Sequence, residues 1–215
     1  SNTTANNNTA IGCGAMIANT EGADNVAVGK DSLVTATTGV NNTAVGASSA
    51  LRLTTGSQNA MFGHNAGDNV TTGSNNVLLG ESAGNDAMIN VTTASTQIVL
   101  GNNASTNATI KIDWTVTSDL RDKTEIKDVK HGLDFINQIT PIEYKFKKSR
   151  EDNTPTGDKK YGFKAQEILE LEGDNPVIIN NKDTDALKIT NSHLIPVLIN
   201  AIKELTARVK ELEND

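Results

Sequence analysis

Asn25-Val26-Ala27-Val28-Gly29, Asn42-Thr43-Ala44-Val45-Gly46 and Asn59-Ala60-Met61-Phe62-Gly63 are one phrase repeated at an interval of 17 residues. It recurs from Asn8 to Gly12 and from Asn76 to Gly80. Gly12, Gly29, Gly46, Gly63 and Gly80 therefore form one series, and Gly22, Gly39, Gly56 and Gly73 form a second with the same spacing. A fixed period of this length is the mark of stacked structural units. Each phrase reads as a short strand. Thr37-Thr38-Gly39, Thr54-Thr55-Gly56 and Thr71-Thr72-Gly73 read as turns in which glycine would take a positive φ. A sixth, degenerate copy, Gln97-Ile98-Val99-Leu100-Gly101, follows after 21 residues, so four extra residues fall within 81–96 and are expected to bulge outward.

Each copy offers only a few aliphatic side chains, too few to bury a face alone. Copies must stack, and neighbouring chains are expected to share the core, as in a fibrous homotrimer. Asn25, Asn42, Asn59 and Asn76 recur in register. They fit an internal hydrogen-bonded ladder or a polar exposed edge. The Asn-x-Ala-Val-Gly pattern also resembles the head repeats of trimeric bacterial adhesins and some phage fibre shafts, over residues 8 to about 104.

Composition narrows the function. Of the 215 residues 36% are hydrophobic and 3% aromatic, little bulky material for a compact monomeric enzyme. The formal charge of −7 disfavours nucleic acid and anionic membranes as partners. Cys13 is the only cysteine, and His64, His131 and His193 lie far apart, so no metal site and no cofactor is expected. No stretch reaches membrane-spanning length and no signal peptide is expected at the start, where Ser1-Asn2 reads as a cloning remnant ahead of a longer parent. Recurring paired carboxylates for glycoside chemistry are missing from the repeats, since Asp24, Asp31, Asp68 and Glu81 share no common repeat position.

Beyond the repeat the pattern changes. Ile110, Ile112, Trp114 and Val116 alternate with Lys111, Asp113, Thr115 and Thr117, which predicts a half-buried strand leading to Ser118. There follow Ser118-Asp119-Leu120-Arg121-Asp122-Lys123, then Gly132-Leu133-Asp134-Phe135-Ile136, Pro141-Ile142-Glu143-Tyr144, and Tyr161-Gly162-Phe163-Lys164-Ala165-Gln166-Glu167. This ordered set resembles the peptidase S74 family, the C-terminal intramolecular chaperones of phage tailspikes and tail fibres, over residues 118 to 215. The resemblance implies trimer-dependent autocleavage by a Ser/Lys dyad, which maps onto Ser118 and Lys123, with Thr117-Ser118 as the bond cut. Lysine serves as a base only where desolvation or nearby positive charge holds its amine neutral. Arg121 would supply such charge. Asp122 would oppose it unless an extended backbone turned it to the other side. Asp119 would orient the scissile peptide. Gln166 would belong either to the cleavage site or, with Glu167, to a helix face.

The remaining elements are coarse. Leu133, Ile136 and Ile139 have helical spacing, Ile142, Tyr144 and Phe146 alternate, Ser149 to Lys160 reads as a loop, and 177–179 and 186–189 read as two strands joined by a turn. A last helix starts near Ser192 with Pro196 in its first turns. Its Ile195, Leu198, Ile202, Leu205, Val209 and Leu212 form a coiled-coil seam or pack against their own domain. Ile, Ile and Val at a with Leu at d favour two strands, in tension with a trimer. The expectation is a mainly β fibre of stacked 17-residue strand-turn repeats (residues 1–117), followed by an α+β chaperone with a coiled-coil-like helix (118–215). Such a molecule would be a homotrimer in a virion tail that binds a glycan or protein receptor on a host or prey cell. A bacterial surface adhesin that keeps its C-terminal domain is the alternative.

Overall fold

The computed structural model describes residues 4–86, 89–105 and 107–214; Ser1 and Asn2 fall outside them. The chain divides into two compact units, one running to Ala108 and taking in Lys147–Thr154, the other formed by Thr109–Phe146 and the chain from Pro155 on.

The repeats wind into a β-solenoid. Six three-residue strands, β1 (Thr9–Ile11), β2 (Val26–Val28), β3 (Thr43–Val45), β4 (Ala60–Phe62), β5 (Val77–Leu79) and β6 (Ile98–Leu100), pair in parallel in chain order. The register is one turn per 17 residues, Val26 beside Thr43 and Thr43 beside Ala60, widening to 21 between Val77 and Ile98. Asn85 still bonds to Asp68, 17 residues back, whereas Asn90 already bonds to Asn69, 21 back. The four extra residues therefore enter at 86–89, closed at the base by a bridge between Asn85 and Asn90. The tip of the expected bulge, 87–88, lies outside the described residues.

The middle residue of each strand from β2 to β6 points inward, giving a buried column of Ala27, Ala44, Met61, Leu78 and Val99. A second inward column is filled in complement. It carries Leu33 in the turn of Ala27, but Gly67 and Gly84 beside Met61 and Leu78, where a Cβ would press on the Met61 sulfur or the Leu78 methyls. A third column holds Ala36, Leu53, Val70 and Val91. One chain thus closes this core by itself, contrary to the expectation of a core shared between chains. Pooling small apolar contributions from six stacked turns replaces the partner.

Asn25, Asn42, Asn59 and Asn76 form the internal ladder rather than an exposed edge. All four are buried. The Oδ1 of Asn42 accepts from the Asn59 backbone N–H at 3.1 Å and from Asn59 Nδ2 at 2.9 Å, and Asn59 Nδ2 also donates to the Gly73 carbonyl at 3.0 Å. Each amide so saturates backbone groups that the narrow coil would strand in the interior.

Both glycine series stand directly against the next turn, and the first is held in a special backbone conformation as well. Gly29 and Gly46 take φ of 136° and 135°, the strained conformation that favours glycine. The Thr-Thr-Gly glycines were expected to do the same and do not. A Cβ on Gly39 or Gly56 would run into the carbonyl oxygen of the next glycine in its series, so these positions are required by close stacking.

In the second unit, α1 (Leu133–Ile136), β7 (Ile142–Lys147), β8 (Pro155–Gly162), α2 (Ala165–Glu172), β9 (Ile179–Asn180), β10 (Lys188–Ile189) and α3 (Leu194–Asn214) follow in order. β7 pairs with β8, and β9 with β10 antiparallel. A small core gathers Phe135, Ile168, Ile178, Ile179, Leu194 and Val197. The expected loop 149–160 is half strand: β8 begins at Pro155 and is mostly exposed, so it carries no apolar alternation by which to recognise it. The Glu172 carboxylate, at the end of α2, accepts the backbone N–H groups of Val177, Ile178 and Ile179 at 2.8, 2.8 and 3.0 Å, tying α2 to β9. Within α3 the stripe Leu194, Val197 and Ala201 is buried, whereas all six seam residues from Ile195 to Leu212 are exposed. Packing of the seam against its own domain is therefore not what the chain adopts.

Candidate active site

The approach to Ser118 is not the predicted strand. Among the described residues from Asn107 to Asp119 none joins a sheet, and every one is exposed. Trp114 and Val116 are 77% and 81% exposed. The alternation is real, but the chain supplies no neighbouring strand to bury it.

The backbone turns just after Asp119. Leu120–Asp122 form one 3₁₀ turn, with Asp122 N–H donating to the Asp119 carbonyl and Lys123 N–H to the Leu120 carbonyl, both at 3.2 Å. Asp122 accordingly lies in the turn, not on the extended segment considered above. Five extended residues would separate Ser118 from Lys123 by about 17 Å. The turn removes that distance, and Lys123 Nζ donates to Ser118 Oγ at 2.8 Å. With the amine neutral, the same two atoms would exchange roles and the hydroxyl would donate to nitrogen, the arrangement a general base needs.

Asp119 caps the turn. Its Oδ1 accepts the Arg121 backbone N–H at 2.9 Å, while the Arg121 guanidinium closes on the same carboxylate, Nη2 to Oδ2 at 2.6 Å and Nε to Oδ1 at 3.1 Å. The guanidinium and that backbone N–H hold the Asp119 carboxyl below the usual carboxylate range, and the carboxylate raises Arg121 in return. A depressed carboxyl contributes above its unfolded value and is lost only as pH falls through the lower, folded one, so the cap outlasts mild acid. Arg121 is thus engaged by Asp119, and its charge is compensated there. Gln166 lies exposed in the first turn of α2 and is not a hydrogen-bond partner of Ser118 or Lys123. Its neighbour Glu167 accepts from Thr140 Oγ1 at 3.1 Å.

Residues 118–175 match the Peptidase S74 family, described as chaperone of endosialidase. The chain carries an S74 intramolecular chaperone domain. The match opens on Ser118 and ends at Asn175, before β9, β10 and α3. No curated protein and no solved structure matches the chain. Among the described residues no group of three or more histidine, cysteine, aspartate or glutamate side chains is placed to hold a metal ion, and no helix is long and apolar enough to cross a membrane.

A surface of the solenoid also escaped sequence reasoning. On the outer face of the solenoid sheet, Ile11, Val28, Val45, Phe62, Leu79 and Leu100 stand in register, one per turn, and Phe62, Leu79 and Leu100 are exposed. The signal was present as a second apolar position in every strand, one residue after the core position.

Proposed function

We propose that this chain is the C-terminal part of a homotrimeric phage tail fibre or tailspike. In this reading the S74 domain, residues 118–215, aligns three chains while the fibre folds and then releases itself by cutting Thr117-Ser118. The observation that carries the proposal is the 2.8 Å contact between Lys123 and Ser118 at the first residue of the family match. Trimerisation is supported by apolar surface that the single chain leaves open: the outer column of the solenoid, residues 110–116 and the seam of α3. Five strand spacings of ~4.8 Å make the solenoid column only about 24 Å long. A strip two side chains wide is on the order of 250 Å², well below the ~800 Å² per partner of a stable interface. The solenoid needs help to associate, which is the task assigned to the S74 domain. The finished fibre would sit in the virion tail and meet a glycan or protein receptor on the host cell.

In the cleavage step Ser118 Oγ attacks the Thr117 carbonyl carbon through a five-membered ring, and Lys123 takes the hydroxyl proton. The Thr117–Ser118 C–N bond breaks, Lys123 returns a proton to the departing amine, and an ester remains on Ser118 Oγ. Water then hydrolyses the ester, leaving a Thr117 carboxylate and a free Ser118. Burial of Lys123 between chains would favour the neutral amine, so cleavage should follow assembly and slow as pH falls.

Denaturing mass spectrometry combined with light scattering tests this. The expected result is a native trimer whose chains separate into fragments of 117 and 98 residues (215 − 117), with Ser118→Ala and Lys123→Ala each leaving an uncut trimer. An intact wild-type chain in a stable trimer would instead support a surface adhesin that keeps its C-terminal domain. A monomer at micromolar concentration would remove both readings.

A further inference from the structure

We propose that Asp119 is the positioning residue of the dyad: by capping the 3₁₀ turn it carries Lys123 back to Ser118, and Arg121 locks its carboxylate in the capping orientation. This rests on the reading of Ser118 and Lys123 as the dyad and assigns Asp119 a role other than steering the scissile peptide.

The turn has little else to hold it. It is three residues long, none of its residues is buried, and its two internal hydrogen bonds are both 3.2 Å. The chain is extended on either side, with φ and ψ of −63° and 137° at Asp119 and −115° and 144° at Lys123. A single helical turn is costly to nucleate, and here no packing against a core offsets that cost. The Asp119 side chain supplies the missing constraint, accepting the Arg121 backbone N–H from the N-cap position. Arg121 then fixes the rotamer of the carboxylate by contacts to both of its oxygens. Because the two charges compensate each other, the pair acts on the dyad through geometry rather than through its field.

Capping and charge are separable, since asparagine caps about as well as aspartate whereas alanine does not. In the full chain, Asp119→Ala should slow cleavage about 5- to 10-fold, the effect of losing a typical N-cap. Asp119→Asn should stay within about 2-fold of wild type, and Arg121→Ala should slow cleavage about 2- to 3-fold, as an exposed ion pair would. The pH midpoint of cleavage should be the same in all four proteins, and light scattering should find the same trimer in each. In the Ser118→Ala background, where nothing is cut, amide hydrogen exchange at Asp122 and Lys123 should quicken about 5- to 10-fold with Asp119→Ala and not with Asp119→Asn. That arm reads the cap even if the wild-type chain proves not to cleave, which keeps failure here distinct from failure of the dyad. The proposal is overturned if Asp119→Asn is as impaired as Asp119→Ala, if the midpoint moves with charge, or if Asp119→Ala leaves the exchange at Asp122 and Lys123 unchanged.

Discussion

In the solenoid the middle residue of every strand from β2 to β6 is buried, and each turn hands its backbone hydrogen bonds to the next; from Asn107 to Lys130 every residue is exposed. Both stretches hold apolar residues at regular positions. They differ in what faces them. A solenoid strand has a parallel neighbour one turn away in its own chain, whereas Ile110, Ile112, Trp114 and Val116 have no sheet neighbour at all. Repetition makes the first region self-sufficient, and the absence of repetition leaves the second without a paired neighbour in its own chain.

The largest effect expected from this contrast comes from removing residues 118–215. Residues 1–117 alone should keep their β-sheet circular dichroism, because the core closes within one chain, yet should not give the trimer. A slip of 17 residues along the outer column preserves most contacts, so nothing in the column by itself sets the register. Equal yields of trimer with and without residues 118–215 would erase the distinction between the two regions.

Inside the solenoid, Asn59→Ala should be next in size. It strands the Asn76 backbone N–H and the Gly73 carbonyl and deprives Asn42 Oδ1 of a donor. At about 1–3 kcal/mol for each buried group left unpaired, the loss should reach about 3–5 kcal/mol in urea unfolding followed by circular dichroism. A loss under about 1 kcal/mol would mean that water replaces the amide, and that the ladder is less closed than its burial implies.

The smallest effect should be at the exposed stretch. Trp114→Ser should leave the solenoid's unfolding unchanged to within about 0.5 kcal/mol, as for a side chain without partners. A larger shift in the same urea experiment would place Trp114 in a core that the single chain does not display.

Much of the molecule was legible from residue order. The 17-residue spacing alone sets the strand positions and the one-per-turn register, because only stacked identical units demand identical intervals. Ser118-Asp119-Leu120-Arg121-Asp122-Lys123 likewise held both members of the candidate dyad. Other features could not be read there. The Thr-Thr-Gly glycines looked like ordinary turn glycines, but whether a glycine is needed for its φ or for the space its missing side chain leaves depends on what the next turn places above it. The asparagine register fitted an interior and an edge equally well, since a period does not say which side of the coil a residue faces. Alternation at 110–116 predicted a strand, yet a strand exists only where a second one accepts its hydrogen bonds. The turn that brings Lys123 to Ser118 was hidden for a related reason: it is made by a side-chain cap and an ion pair over three exposed residues, with no apolar periodicity to announce it. Local order and spacing are properties of one chain read along its length, whereas packing space, facing and pairing belong to atoms far apart in sequence, and these only the tertiary structure decided.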